Sequence, residues 1–342
     1  MYGTDMLMLL NIEKLLRPVD NSGAFFATCY IRKRGYNSRY FKSGDGGMVC
    51  ARFLLVLMIA LVMTLCPTSA VIATTSDKPI IRFGVIPRYN PLVMYKRYQP
   101  IMDYLTAETP YRFELKISKD YPEAVRFLQQ GVTQVSSLGD VTFAEASKQY
   151  AAIPILKPRN KDGIPSYRSA IIVRVDSPLK DIKGLRGKTM AFGSPHSTSG
   201  NLIPRYLLWD NGIGMRDLKS FNNLQHHDAV AKAILKGQFD AGAVKDVVAE
   251  KYRPYGLRIL AWSAPIPSVP LVVRKDAPPD VVKALTTALL KLDRTNPAHQ
   301  KMMQTWDDEF RYGFAPATKD DYQGIFRMIK DIPLGCGIGC HK

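Results

Sequence analysis

From residue 80 onward, short apolar runs alternate with stretches of helical spacing. Residues 80–86 read as a strand stopped by Pro87, and Tyr95, Tyr98, Ile101, Met102 and Leu105 then recur at helical spacing. Residues 112–118 alternate as a strand. Residues 121–131 predict a helix with Ala124, Val125 and Leu128 on its apolar side and Gly131 as its stop. A strand at 133–139, a helix at 141–150 and a strand at 152–156 continue the pattern. Such β-α-β-α-β alternation predicts an α/β fold with mostly parallel sheets flanked by helices. A polar loop with Pro and Gly (157–165) precedes a strand at 167–175. Further strands are predicted at 188–192, 218–224, 240–244, 257–262 and 271–273. Helices are predicted after residue 201 and at 227–237, 279–292, 297–306 and 319–332. Pro265, Pro267 and Pro270 mark a kinked return path between two of the strands.

The chemistry gathers where the strand at 188–192 meets its helix, in Phe192-Gly193-Ser194-Pro195-His196-Ser197-Thr198-Ser199-Gly200-Asn201. Leu202, Ile203, Tyr206, Leu207 and Trp209 follow at helical spacing. The first turn of a helix leaves N–H groups without intrahelical acceptors and carries the positive end of the dipole. Ser197, Thr198 and Ser199 add hydroxyl donors at that point, a combination suited to an oxyanion. One Ser or Thr is expected at any helix start as an N-cap, but three in a row exceed what capping needs. No Gly-Lys-Ser/Thr follows, so this is not a nucleotide-hydrolysing phosphate loop.

The chain has 342 residues and a formal charge of +17, but its basic residues are scattered without a Lys/Arg block or a stacking-aromatic motif, which argues against nucleic acid. The first 47 residues show no sustained periodicity and read as an over-extended start. Residues 48–73 combine a short basic opening, an apolar core at 53–65 and small residues before a cut after Ala73, the pattern of a secretory signal peptide. An uncleaved anchor is the lesser alternative. Past residue 73 there remain 39 Lys+Arg against 26 Asp+Glu, a balance of +13, and of five cysteines only Cys336 and Cys340.

Several motifs in consistent order resemble the solute-binding proteins of ABC importers for phosphonate, phosphite and phosphate. They are Ser194-Pro195-x-Ser197-Thr198-Ser199-Gly200 with Pro204, Tyr167-x-Ser169-x-Ile171-Ile172-Val173, Leu185-x-Gly187-Lys188, His227-Asp228-Ala229-Val230, Gly237-x-x-Asp240-Ala241-Gly242 and Ile266-Pro267-x-x-Pro270. The resemblance implies a type 2 periplasmic-binding fold with two lobes, a ligand cleft between them and hinge closure on the ligand. It also implies no enzymatic activity, no cofactor, an inner-membrane ABC permease as partner and a monomer in the periplasm. Lobe 1 is expected at 79–173 plus 266–332, lobe 2 at 174–265, and a Cys/His tail at 333–342. Ser197, Thr198 and Ser199 carry over as the phosphonyl site, with His227 as a further donor. In the first lobe, Tyr95, Tyr98 and Tyr167 either face the cleft or fill the core, and Gly139 lies at a strand end where open α/β sheets bind ligands. Asp140 beside it is expected to orient a donor instead of touching a dianion. The chain has Leu138 where some aminophosphonate binders have Tyr. It has Val269 where they carry an acid for the ligand ammonium, which favours a small or apolar oxyanion.

Two other functions stay open from sequence. Cys336-x-x-x-Cys340-His341 is similar to a c-type haem attachment with one residue too many between the cysteines, so a redox protein is one alternative. The same lobe pair serving a separate sensor kinase is the other. No metal or triad spacing suggests an enzyme.

Overall fold

A computed structural model of the chain describes residues 78–331. Strand β1 (Ile80–Val85) lies between β2 (Arg112–Ile117) and β3 (Val135–Ser137), parallel to both. Helix α1 (Pro91–Glu108) connects β1 to β2. Proline at its first turn costs no hydrogen bond, and the Asn90 side chain caps it by accepting from the Val93 N–H at 3.1 Å. Its buried stripe is Met94, Tyr98, Ile101, Met102 and Leu105, the spacing of a single helical face. Helix α2 (Tyr121–Gln129) is capped by Asp120, which accepts from the Glu123 N–H at 2.7 Å. Gly131 ends it at φ +70°, a conformation a side chain would disfavour. Helix α3 (Asp140–Tyr150) starts two residues past β3, and β4 (Ile153–Pro158) follows.

The chain then leaves this first sheet through β5 (Ser166–Tyr167) and enters a second one as β6 (Ser169–Arg174). There follow β7 (Thr189–Phe192), α4 (Ile203–Asp210), β8 (Ser220–Asn223), α5 (His227–Leu235), β9 (Ala241–Lys245), α6 (Asp246–Tyr252) and β10 (Leu257–Trp262). The return runs through β11 (Ile266–Pro267), which pairs antiparallel with β5, placing Ile266 opposite Tyr167. Strand β12 (Leu271–Val273), helices α7 (Pro279–Leu290) and α8 (Pro297–Met303), β13 (Phe314–Pro316) and α9 (Gln323–Asp331) complete the described chain. The strand orders are β13-β4-β12-β3-β1-β2 and β10-β6-β9-β7-β8. Helices flank both sheets, and the β5–β11 pair joins them as two crossing segments.

Two expectations need revising. The sheets are mixed instead of mostly parallel: β12 runs antiparallel to β3 and β4, β13 to β4, and β6 to both β9 and β10. Parallel pairing needs a helical crossover, and strands that enter a sheet straight from the crossing segments have none. The strand expected at 167–175 is also broken, because Arg168 lies between β5 and β6 and the two pair with different partners. Strand β6 lies in the second sheet, five residues ahead of the expected lobe boundary at 174. The apolar faces of the sheets and helices form the buried clusters, with Phe83, Val135, Leu271, Leu285 and Trp306 in the first sheet's layers and Met190, Phe192, Ile171 and Leu208 in the second's. Each such side chain, fully buried, contributes about 1.5–3 kcal/mol.

Candidate functional site

Strand β7 delivers the chain to Gly193, whose N–H donates to the Gly200 carbonyl at 2.7 Å, closing the turn between them. Ser197 is the cap: its Oγ accepts from the Gly200 N–H at 3.0 Å, and its carbonyl accepts from both Asn201 and Leu202 at 3.1 Å. The helix therefore opens with a wide π turn over Thr198–Leu202 before α4 begins. Such turns are uncommon and recur at functional sites. Gly200 is required by contact. A Cβ there would come within 2.9 Å of the His227 ring, 2.9 Å of Ser197 Oγ and 3.0 Å of Gly193 Cα. Ser197, Thr198 and Ser199 are all buried, as is His227 at the first turn of α5.

His227 is held in one tautomer. Its Nδ1 accepts from the Lys245 backbone N–H at 3.3 Å, so in the neutral ring the proton sits on Nε2, 3.3 Å from Ser197 Oγ. Burial, then the neighbouring positive groups of Lys245, Arg88 and His226, push the His227 pKa down to about 3. The ring is neutral at physiological pH. Ser197 Oγ then receives two N–H donors, from Gly200 and His227, which leaves the serine's own O–H as a donor beside the Tyr121 hydroxyl.

The first lobe supplies the opposite wall. Gly139 precedes α3, and the N–H of Val141 donates to Thr198 Oγ1 at 3.1 Å, a bond between the two lobes. Tyr167 OH donates to Asp140 Oδ2 at 3.0 Å, and burial raises the pKa of both groups. Arg88, Lys245, Glu309 and Asp307 form a buried charge cluster. Arg88 Nη2 donates to Asp307 at 3.0 Å, Arg88 also contacts Glu309 and Tyr98, and Lys245 Nζ lies 2.5 Å from Glu309 Oε1. That last contact is an ion pair without hydrogen-bond geometry, since neither Lys245 Nζ nor Glu309 Oε1 has a hydrogen-bond partner among the described residues. The Lys245 ammonium also stands 3.4 Å from the centre of the Tyr167 ring, and its burial lowers its pKa. Between these walls lies a cavity of about 20 Å³.

Of the residues expected from sequence, Ser197, Thr198, Ser199, His227, Gly139 and Tyr167 all line this cavity. Tyr98 is buried behind it, its hydroxyl accepting from Arg88, and does not line it. Tyr95 is elsewhere: it is 54% exposed, because it sits one residue, about 100°, off the buried stripe of α1. Asp140 accepts from the Tyr167 hydroxyl. Cys336, Cys340 and His341 lie outside the described residues, as do the segments expected at 1–47 and 48–73. Among the described residues, no group of three His, Cys, Asp or Glu is placed to hold a metal. Sequence reasoning missed Arg88, Tyr121 and Lys245, which also line the cavity. Arg88 and Lys245 follow or end strands β1 and β9, and the strand-end rule that singled out Gly139 would have found them.

A family model described as "ABC transporter, phosphonate, periplasmic substrate-binding protein" matches residues 83–322. The chain is 26% identical over 290 residues to the phosphate-import protein PhnD of Mycolicibacterium smegmatis, an alignment covering 75% of this chain and 90% of that one. It is 25% identical over 239 residues to the phosphonates-binding periplasmic protein of Escherichia coli, covering 67% of this chain and 69% of that one. Among solved structures it is similar in fold to PhnD1 of Prochlorococcus marinus in complex with methylphosphonate. There the TM-score is 0.66 at 22% identity, over 75% of this chain and all of that one.

Proposed function

The chain belongs to the periplasmic phosphonate substrate-binding proteins of ABC transporters, and from that premise we propose that Ser197, Thr198, Ser199 and His227 hold the oxyanion of its ligand. The family works without catalysis, as the capture component of an importer, and hands its ligand to an ABC permease. The ligand class is a phosphonate, phosphite or phosphate. The protein acts as a monomer, exported by the signal peptide at 48–73.

One observation carries the assignment of residues. The Lys245 N–H fixes the His227 tautomer, His227 Nε2–H and the Gly200 N–H occupy the acceptor sites of Ser197 Oγ, and the serine proton is left to donate within the cavity that Ser197 and Tyr121 both line. Donors prepared in this way lose little on reorganisation when an anion arrives. The opening turn of the helix adds unpaired N–H groups and its dipole. Gly139 leaves room at the first-lobe wall, while Arg88 and Lys245 place positive charge beside it. Tyr98 supports Arg88 from behind, and Tyr167 acts with Asp140.

Closure follows from contacts that cross between the lobes. The Val141 N–H meets Thr198 Oγ1, His196 Nδ1 lies 2.7 Å from Glu145 Oε1, and His226 Nδ1 lies 2.9 Å from the Pro87 carbonyl. These bonds hold the lobes together around the cavity and have to break for ligand to enter. Calorimetric titration with phosphate, phosphite, methylphosphonate and 2-aminoethylphosphonate tests the proposal. Saturable one-to-one binding of at least one is expected, and heat from none of them nor from any larger phosphonate or phosphate monoester would overturn it.

A further inference from the structure

A second, larger cavity of about 890 Å³ adjoins the first, and the two share Tyr167, Lys245 and Glu309 as lining residues. Its volume falls within the range of pockets that enclose whole organic ligands of roughly 300–1,000 Å³. A bare oxyanion would leave it empty. The boundary between the cavities is the Lys245–Glu309 ion pair, which joins the second lobe to the first and therefore parts whenever the lobes open. Lys245 is buried, its ammonium 2.5 Å from Glu309 and 3.4 Å from the centre of the Tyr167 ring, so opening of the lobes releases its donors to a group lying across that boundary.

The charge on the larger cavity's wall selects what that group is. Glu309 faces Arg88 and Lys245, Asp308 is paired with Arg97 and Arg311, and Glu250 with Arg253. Asp246 accepts two backbone N–H groups. The wall also carries Arg159, Lys161, Arg168 and Lys251, none in an ion pair among the described residues, against the carboxylates of Asp162 and Asp246. Trp262 adds an aromatic surface beside them. A positive excess next to a buried ammonium whose carboxylate partner, Glu309, parts from it on opening attracts a second negative group.

From this we infer that the ligand is a phosphonate or phosphate monoester whose substituent carries a second acidic group, its phosphorus oxyanion at Ser197–Ser199 and its substituent running past Lys245 into the larger cavity. The inference rests on the oxyanion site proposed above, and it replaces the small or apolar ligand favoured by sequence. The boundary discriminates by charge: Lys245 together with the positive excess of the wall stabilises an acidic substituent and disfavours an ammonium.

Calorimetric competition of the purified protein among methylphosphonate, 2-aminoethylphosphonate, phosphonoacetate, 3-phosphoglycerate and fructose 1,6-bisphosphate tests it. At least one of the three acid-bearing compounds is expected to bind at least ten-fold more tightly than methylphosphonate, and 2-aminoethylphosphonate more weakly. In the K161A/R168A double variant, changed only at exposed positions, that preference should fall several-fold while methylphosphonate affinity stays the same. Methylphosphonate binding as tightly as every acid-bearing compound would overturn the inference and leave the oxyanion site standing. So would a preference that K161A/R168A leaves intact. Silence from all five compounds and from inorganic phosphate would overturn the oxyanion site, and this inference with it.

Discussion

At the scale of residues, the site depends on a histidine that stays neutral. Burial and the neighbouring positive groups push the His227 pKa from the ordinary 6.5 down to about 3. Between those values the unfolded chain binds the proton more readily, so stability rises with pH there. The contribution is complete above about pH 6.5 and is lost progressively as pH falls toward 3. Its size is on the order of a few kcal/mol. Urea unfolding of the wild type and of H227Q at pH 7 and pH 4.5 checks this: the stability difference between the two proteins should be smaller at pH 4.5. An equal difference at both values would mean the ring does not stay neutral. The residues legible from sequence were those contiguous in it. Ser197, Thr198 and Ser199 stand out as a run at a strand-to-helix junction. Arg88, just past β1, and Lys245, at the end of β9, come singly among 47 Lys and Arg, and only the fold brings them together. Tyr95 and Tyr98 differ by one helical step, which spacing alone left open and which packing decides.

At the scale of elements, the strand and helix runs were readable because each buries a single face. Helix α1 and strands β1, β2, β7 and β10 fall within a few residues of where the apolar pattern put them. Elements shaped by distant partners were not readable. Strand β13 exists because Phe314, Ala315 and Pro316 pair with β4, and the two-residue strands β5 and β11 exist because they pair with each other. Helix α6, seven residues long, opens directly off the end of β9 with no side-chain cap to announce it. The elements also carry the lobe contacts, including that between His196, in the turn before α4, and Glu145 on α3. The hydrogen bond to Glu145 raises the His196 pKa against the opposing effect of burial. The added attraction is therefore present below the ordinary histidine range and is lost as pH rises through the raised value. A partly exposed pair of this kind contributes about 1 kcal/mol or less. Titration of E145Q with the same ligand as the wild type should show affinity lowered by up to about five-fold at pH 6. The gap should narrow at pH 8.5. A gap that does not change with pH would remove His196 from the closure contacts.

At the scale of the whole molecule, two mixed sheets joined by a pair of crossing segments bring the ends of strands from both lobes to one place. The strand-end rule supports that place as the proposed ligand site. The two-lobed plan was legible because the motifs kept their order along most of the chain. The larger cavity was not legible, since its walls come from the 159–168 loop, α6, the crossing segments and the stretch before β13. A basic chain carrying +17 favours the approach of an anion in general, but recognition rests on the few donors that close around it. The most direct test of the account is calorimetric titration of S197A/T198A with the tightest phosphorus oxyanion found for the wild type, alongside its thermal unfolding. Loss of two hydrogen bonds to a charged group, each contributing about 1.5–3 kcal/mol, predicts affinity lower by at least about a hundred-fold. The fold is kept, and the melting temperature is lowered only by the few degrees that loss of the Ser197 cap and the Val141 bond brings. Affinity equal to that of the wild type would contradict the account, because the oxyanion would then be held elsewhere.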